Sequence, residues 1–181
     1  MAILEKYVVL GLGNTLHSDD GVGSRAIERL KTEARVPEGV TLIEGGTLGL
    51  ELLTYIWDCS YLLVVDAVDT GRSPGTLIRM SGEGLNALPS QGSVHQLGVA
   101  DLLVALRALA RQQPKVVLLG VQPATTNWGT ELSLPVEAAM DHLIEATITE
   151  LCNQVQAGPE TPASGPGKEK APCAWPSPER L

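Results

Sequence analysis

Asp20, Asp66 and His95 are the residues of this 181-residue chain whose types and positions can do chemistry together. Two carboxylates and one imidazole form a mixed oxygen and nitrogen donor set. Such a set suits a divalent first-row metal with coordination positions left open. The same groups serve as general acids and bases, so the triad reads as both metal site and catalytic site, with individual roles undivided. Each member also has a plainer reading. Asp19 or Asp20 can be an ordinary helix-start acid, Asp66 can simply end a strand, and a lone histidine is more often structural than catalytic. What lifts the triad above these readings is a shared expected location, the carboxyl edge of a parallel sheet, where open α/β proteins keep their sites.

The elements that must position these residues are legible as short β-branched runs alternating with helix-period segments. The pattern predicts an α/β fold: one three-layer domain, a twisted, mostly parallel sheet with helices on both faces. Strands are expected at Tyr7–Leu12, Val40–Glu44, Tyr61–Ala67 and Lys115–Val121, with Gly75–Met80 as a short edge strand, antiparallel to the others. Helices are expected from Asp20 to Ala34, from Leu48 to Trp57 with Thr47 as cap, from the Ser93–Gln96 capping box to Arg111, and from Pro135 onward. Acids at the start of the first helix, with Lys31 and Arg35 at its end, match the helix dipole. The last helix carries an apolar stripe of Val136, Met140, Leu143, Thr147, Leu151 and Val155. Residues 1–156 form the domain. Half of the twelve prolines fall in 157–181, a Pro- and Gly-rich stretch with no periodic apolar face, which reads as a disordered tail.

Composition narrows the function. The net charge of −8 repels phosphate backbones and anionic lipid heads, and six aromatic residues without a Phe leave no stacking platform for single strands. Nucleic acid and membrane are therefore not expected partners. Cys59, Cys152 and Cys173 form no CxxC pair, and Glu5 and Lys6 interrupt any signal-peptide core, so a cytoplasmic, monomeric protein is expected.

Competing motifs are weaker. GLGNTL after the first strand is similar to a dinucleotide fingerprint, with Glu44 where a ribose-binding acid might stand. However, Leu16 replaces the third glycine, and Asp19-Asp20 would face a pyrophosphate with negative charge. Asp69-Thr70-Gly71 is the DTG of pepsin-like proteases, which need two such aspartates in an all-β frame. No GxSxG or HExxH occurs. His142 reads as a surface residue. His17 also reads as surface, and its sequence distance from Asp20 makes it a weak supporting candidate.

Five ordered blocks carry a resemblance: LGLGNTLHSDDGVG, IEGGTLGLELL, VVDAVD, SVHQLGVADLL and LLGVQP, together spanning about residues 7–155. The chain resembles the nickel–iron hydrogenase maturation proteases. That resemblance implies an endopeptidase that removes a C-terminal extension from the hydrogenase large-subunit precursor after nickel insertion. It also implies that the family's metal-binding acids and histidine correspond to Asp20, Asp66 and His95, with nickel carried by the substrate. Some members have Glu at the position of Asp20. Either aspartate is then a candidate general base, and nickel either a recognition element or a Lewis acid. A nickel-sensing assembly chaperone without activity and a nucleotide-binding oxidoreductase are the alternatives. The loop Gln122–Thr130 leaves a strand at the same edge and is expected to grip the precursor. Trp128 within it reads equally as substrate anchor or as loop packing.

Overall fold

Runs of Val, Leu and Ile become strands because their side chains can be buried on both faces of one sheet. The computed structural model describes residues 5–87, 94–110 and 113–157, with backbone only at 86–87 and 94–98. Its strands are β1 Tyr7–Leu12, β2 Val40–Gly46, β3 Tyr61–Ala67, β4 Leu77–Ser81 and β5 Lys115–Val121. Their order across the sheet is β2-β1-β3-β5-β4, all parallel except β4, which runs antiparallel to β5 at the edge. β3 is buried at every position and is the central strand.

Because successive strand residues point to opposite faces, the sheet feeds two cores. Val9, Leu63, Val65 and Leu119 pack with Ile27 of α1 (Val22–Leu30) and Leu143 and Leu151 of α4 (Leu134–Ala157). Val8, Leu10, Leu62, Val64 and Leu118 pack with Ile56 of α2 (Leu53–Ile56) and Leu102 and Leu106 of α3 (Val94–Leu109). The result is the expected three-layer domain. Each fully buried Leu or Ile contributes about 1.5–3 kcal/mol.

Helix ends depart most from the sequence pattern. Asp19 and Asp20 lie in a 3-10 turn, Ser18–Gly21, and α1 begins only at Val22 and ends at Leu30. The acids therefore precede α1, and Arg29 is the basic residue in its last turn. Where one helix was expected from Leu48, a 3-10 turn at Gly49–Leu52 leads into the single turn of α2. Thr47 does not cap it, since no side chain bonds to that N-terminus. Val136, Met140, Leu143, Thr147 and Leu151 form the buried stripe of α4, while Val155 is only half-buried. Ser93 of the expected capping box and the stretch beyond Ala157 lie outside the described residues, and Ala157 itself is the last residue of α4.

One glycine explains how the first helix reaches the site. A Cβ on Gly23 would stand 2.2 Å from the Val65 carbonyl oxygen and 2.4 Å from that of Leu12. Only glycine lets the first turn of α1 lie this close to β1 and β3. That approach seats the preceding turn, with Asp20, at the end of these two strands.

Candidate active site

The chain leaves β1 through α1 on one face of the sheet and enters β3 through α2 on the other. β1 and β3 are neighbours, so the gap between their carboxyl ends is a topological switch point, where such folds open a crevice. Asp20 follows β1 and Asp66 is the penultimate residue of β3, so the topology sets both carboxylates at this gap.

Both are buried, at 4% and 3% exposure. The Asp20 Oδ2 accepts the Asn14 backbone N–H at 2.7 Å, and its own N–H donates to the His17 carbonyl at 3.1 Å. Asp66 Oδ1 accepts the N–H of Ala67 at 2.8 Å. Burial first, and then the neighbouring Asp20 carboxylate, push the Asp66 carboxyl well above the usual range; the Ala67 N–H only partly offsets them. Among the described residues no cationic side chain pairs with Asp66. A buried carboxyl raised by a neighbouring carboxylate is suited to holding a proton or accepting a cation.

The third predicted member, His95, is the second residue of α3, and only its backbone is described. α3 leads into β5 and so starts at the carboxyl edge of the sheet, the edge that carries the two aspartates. Among the described residues no three His, Cys, Asp or Glu side chains are gathered as a metal site.

Residue chemistry alone left Asp19 and Asp20 undivided, the family resemblance pointed to Asp20, and the structure gives the two different partners. Asp19 is fully buried, and its carboxylate is engaged by the β5–α4 loop. Its Oδ2 accepts N–H groups of Ala124 and Thr125 at 2.8 and 3.0 Å and the Ser133 hydroxyl at 2.8 Å. Its Oδ1 accepts the Ser133 N–H at 2.7 Å. Asp19 thus ties the β1–α1 loop to the β5–α4 loop, and Asp20 is the aspartate of this turn that neighbours Asp66.

Gln122 is a second residue that sequence reasoning passed over. Its Oε1 accepts the Thr70 and Arg72 N–H groups at 2.8 and 3.2 Å, and its Nε2 donates to Asp69 Oδ1 at 2.9 Å. The Gln122 amide and then the Gly71 N–H hold the Asp69 carboxyl below its ordinary range. The DTG motif is therefore a hydrogen-bonded turn that fixes the segment leaving β3, and a surface residue, Asp69, carries its carboxylate. The signal that could have found Gln122 was its position directly after a fully apolar strand, where a polar side chain has to serve a turn.

The remaining candidates fall away from the pair. His142 is exposed on α4. The His17 ring bonds the Thr126 carbonyl through Nδ1 at 3.1 Å and stacks on Trp128. Glu44 forms a surface ion pair with Lys31 at 3.8 Å. The dinucleotide reading fails sterically. Gly13 closes against Asp20, where a Cβ would stand 1.7 Å from its carbonyl oxygen, and a 3-10 turn carrying two buried aspartates covers the start of α1. Cys59 is buried, and burial pushes its thiol up to about 11, out of reach of nucleophilic work near neutral pH. Among the described residues no helix is long and apolar enough to cross a membrane.

An open α/β sheet with a buried carboxylate pair at its switch point defines an enzyme-like α/β domain rather than a nucleotide binder. Comparison with known proteins gives the particular family. The sequence profile described as hydrogenase maturation protease matches residues 24–150. The chain is 34% identical over 148 residues to the hydrogenase 2 maturation protease of Escherichia coli K12, covering 81% of this chain and 90% of that protein. It is 35% identical over 150 residues to the hydrogenase expression/formation protein HupD of Rhodobacter capsulatus, covering 81% and 71% of the two chains. Its fold matches the E. coli hydrogenase maturating endopeptidase HybD with a TM-score of 0.77 over 82% of this chain and 93% of that one, at 34% identity. The [NiFe] hydrogenase maturation protease HybD of Thermococcus kodakarensis matches with a TM-score of 0.69 at 26% identity, over 81% of this chain and 99% of that one. The chain belongs to the hydrogenase maturation protease family and is an endopeptidase. The oxidoreductase and inactive-chaperone alternatives are set aside with it.

Proposed function

We propose that this endopeptidase removes the C-terminal extension of a nickel–iron hydrogenase large-subunit precursor once nickel is in place, and that Asp20, Asp66 and His95 are the residues that read the nickel. The observation that supports this reading is the Asp20–Asp66 pair. Burial and the Asp20 charge make ionised Asp66 costly, and no cationic side chain among the described residues relieves it. A divalent ion held by substrate thiolates would relieve that cost. Two carboxylates and an imidazole are a donor set that accepts such an ion. A nickel-free precursor offers no such gain, so the preference for a loaded substrate follows from differential affinity.

The bond-breaking step needs a group that takes a proton from the attacking water. Asp66 and Asp20 are the acids at the switch point. Either carboxylate can take that proton when the other is engaged with the ion. The bond from Ala67 N–H fixes one oxygen of Asp66 and leaves the other for the reaction.

The test is incubation with nickel-loaded and nickel-free large-subunit precursor, followed by intact-mass measurement. The loaded precursor loses a C-terminal peptide and the nickel-free one does not. Failure to shorten any hydrogenase precursor from the same genome overturns the reading. Equal cutting of both forms overturns nickel recognition alone.

A further inference from the structure

The largest exposed side chain at the carboxyl edge is held with unusual firmness. Trp128 is 79% exposed, in the loop between β5 and α4. Its ring lies 4.5 Å from that of His17, centroid to centroid, at 37°. Beside it on the facing loop, Leu16 is 52% exposed. The two loops are stitched together residue by residue. The Gly129 N–H donates to the Leu16 carbonyl at 3.0 Å, the Ser18 N–H to Gly129 at 2.8 Å, and the Asp19 N–H to Thr125 at 3.2 Å. The Ser18 hydroxyl donates to the Asn127 carbonyl at 3.1 Å, and His17 Nδ1 to Thr126 at 3.1 Å. Beneath them Asp19 accepts four further bonds from the same loop.

The joint also holds backbone strain. Ser18 has a φ of 51°, a left-handed conformation that serine rarely adopts. A Cβ on Gly129 would lie 2.6 Å from the Ser18 hydroxyl. Strain of this kind persists only where surrounding bonds over-determine it, and it collects at ligand clamps. Scattered exposed hydrophobics need no explanation. Here two of them stand on bonded, strained backbone, and the loop that carries Leu16 and His17 is the loop that carries Asp20 three residues later.

From this we propose that Leu16, His17 and Trp128 form a preformed anchor for an apolar or aromatic side chain of the precursor's C-terminal segment, a few residues from the bond that is cut. The inference rests on the reading that this segment is the substrate. An aromatic ring presented on rigid backbone is the kind of surface that carries most of the energy of a peptide interface. Because the loops are already ordered, docking there loses little conformational entropy. The anchor acts on substrate binding and leaves the chemistry at Asp20 and Asp66 unchanged.

Two measurements test it. In the Trp57→Phe/Trp175→Phe variant, Trp128 is the one remaining tryptophan. Titration with a tryptophan-free peptide of the precursor's C-terminal segment shifts its emission to the blue and shields it from acrylamide. In cleavage assays of the nickel-loaded precursor, Trp128→Ala raises KM about tenfold or more with kcat within about twofold, and Trp128→Phe recovers most of the loss. An unmoved emission maximum, or an unchanged KM in Trp128→Ala, overturns the anchor while normal cleavage leaves the proteolytic reading standing. If the unaltered protein cuts no precursor, the proteolytic reading falls, and the emission titration still decides the anchor. Trp128 is too exposed for its loss to unfold the domain, and thermal unfolding of Trp128→Ala checks this directly.

Discussion

β3 carries a polar cluster at each end, and the two are built on opposite principles. At its start, the Tyr61 hydroxyl donates to Glu150 at 3.1 Å, and Arg79 grips the same carboxylate with two bonds of 2.9 Å. Burial alone would push the Glu150 carboxyl up, but the Arg79 bonds and charge, joined by Tyr61, outweigh it and hold it below the usual range. At the other end, Asp66 is more deeply buried than Glu150 and faces a second carboxylate, and it rises. The first cluster satisfies its charge and fastens α4 and β4 to the sheet. The second leaves charge uncompensated, which costs stability and creates affinity for a proton or a cation. The difference sets a carboxylate satisfied by its partners apart from one disposed to take up a proton or a cation.

The largest effect expected from breaking this contrast is on activity. Asp66→Asn keeps the acceptor for Ala67 N–H and removes the charge. Precursor processing, read by mass, then falls by about 10²-fold or more. Stability moves the other way. A carboxyl raised on folding contributes stability below its unfolded value of about 3.9, and that contribution is lost as pH rises through its folded value. Asp66→Asn is therefore at least as stable as the unaltered protein at pH 7, and the two converge in acid, as followed by thermal unfolding across pH. A lower melting temperature at pH 7 would contradict the picture of an unrelieved charge.

Next in size is Asp19, the structural aspartate beside the functional one. Asp19→Ala strands three N–H groups and a hydroxyl, and costs about 3 kcal/mol, or roughly 6–12 °C in melting temperature. Asp19→Asn also destabilises, because its amide NH2 must meet N–H donors whichever way it turns. A change of only a degree or two in urea or thermal melts would remove Asp19 from the role of loop tie.

The smallest effect is at the satisfied end. Arg79 is 39% exposed and solvent screens it, so Glu150→Gln costs only about 1 kcal/mol at pH 7. A carboxyl lowered on folding contributes stability above its unfolded value of about 4.3, and that contribution is lost as pH falls through its folded value. The gap between Glu150→Gln and the unaltered protein therefore closes below about pH 4. A gap that instead widened in acid would assign the wrong sign to the cluster.

The sheet was largely legible because buried parallel strands are written as unbroken apolar runs. Tyr61–Ala67 and Lys115–Val121 appear with the bounds read from sequence, and the edge strand near Gly75–Met80 is antiparallel as expected. Helix ends were less legible. Asp19-Asp20 looks like a helix start in one dimension, yet the tight approach of Gly23 to β1 and β3 moves that start to Val22 and leaves both acids in a 3-10 turn. The meeting of Asp20 and Asp66 at one sheet edge was readable because each ends or follows a strand whose direction the pattern gives. The division of labour between Asp19 and Asp20 was not, since it depends on loop residues more than 100 positions away.

By itself, then, the sequence determined the α/β class, the strand set and the family motifs, and it named the two aspartates as candidates, because these follow from hydrophobic periodicity and residue chemistry along the chain. Only the tertiary structure decided that ionising Asp66 is costly while Glu150 is satisfied. It alone showed Asp19 as a tie, Gln122 as the hub of a turn, and Trp128 braced in the open against His17. Each of these depends on which groups meet across loops distant in sequence, and electrostatic and hydrogen-bond energies are set by those meetings rather than by the residue types alone.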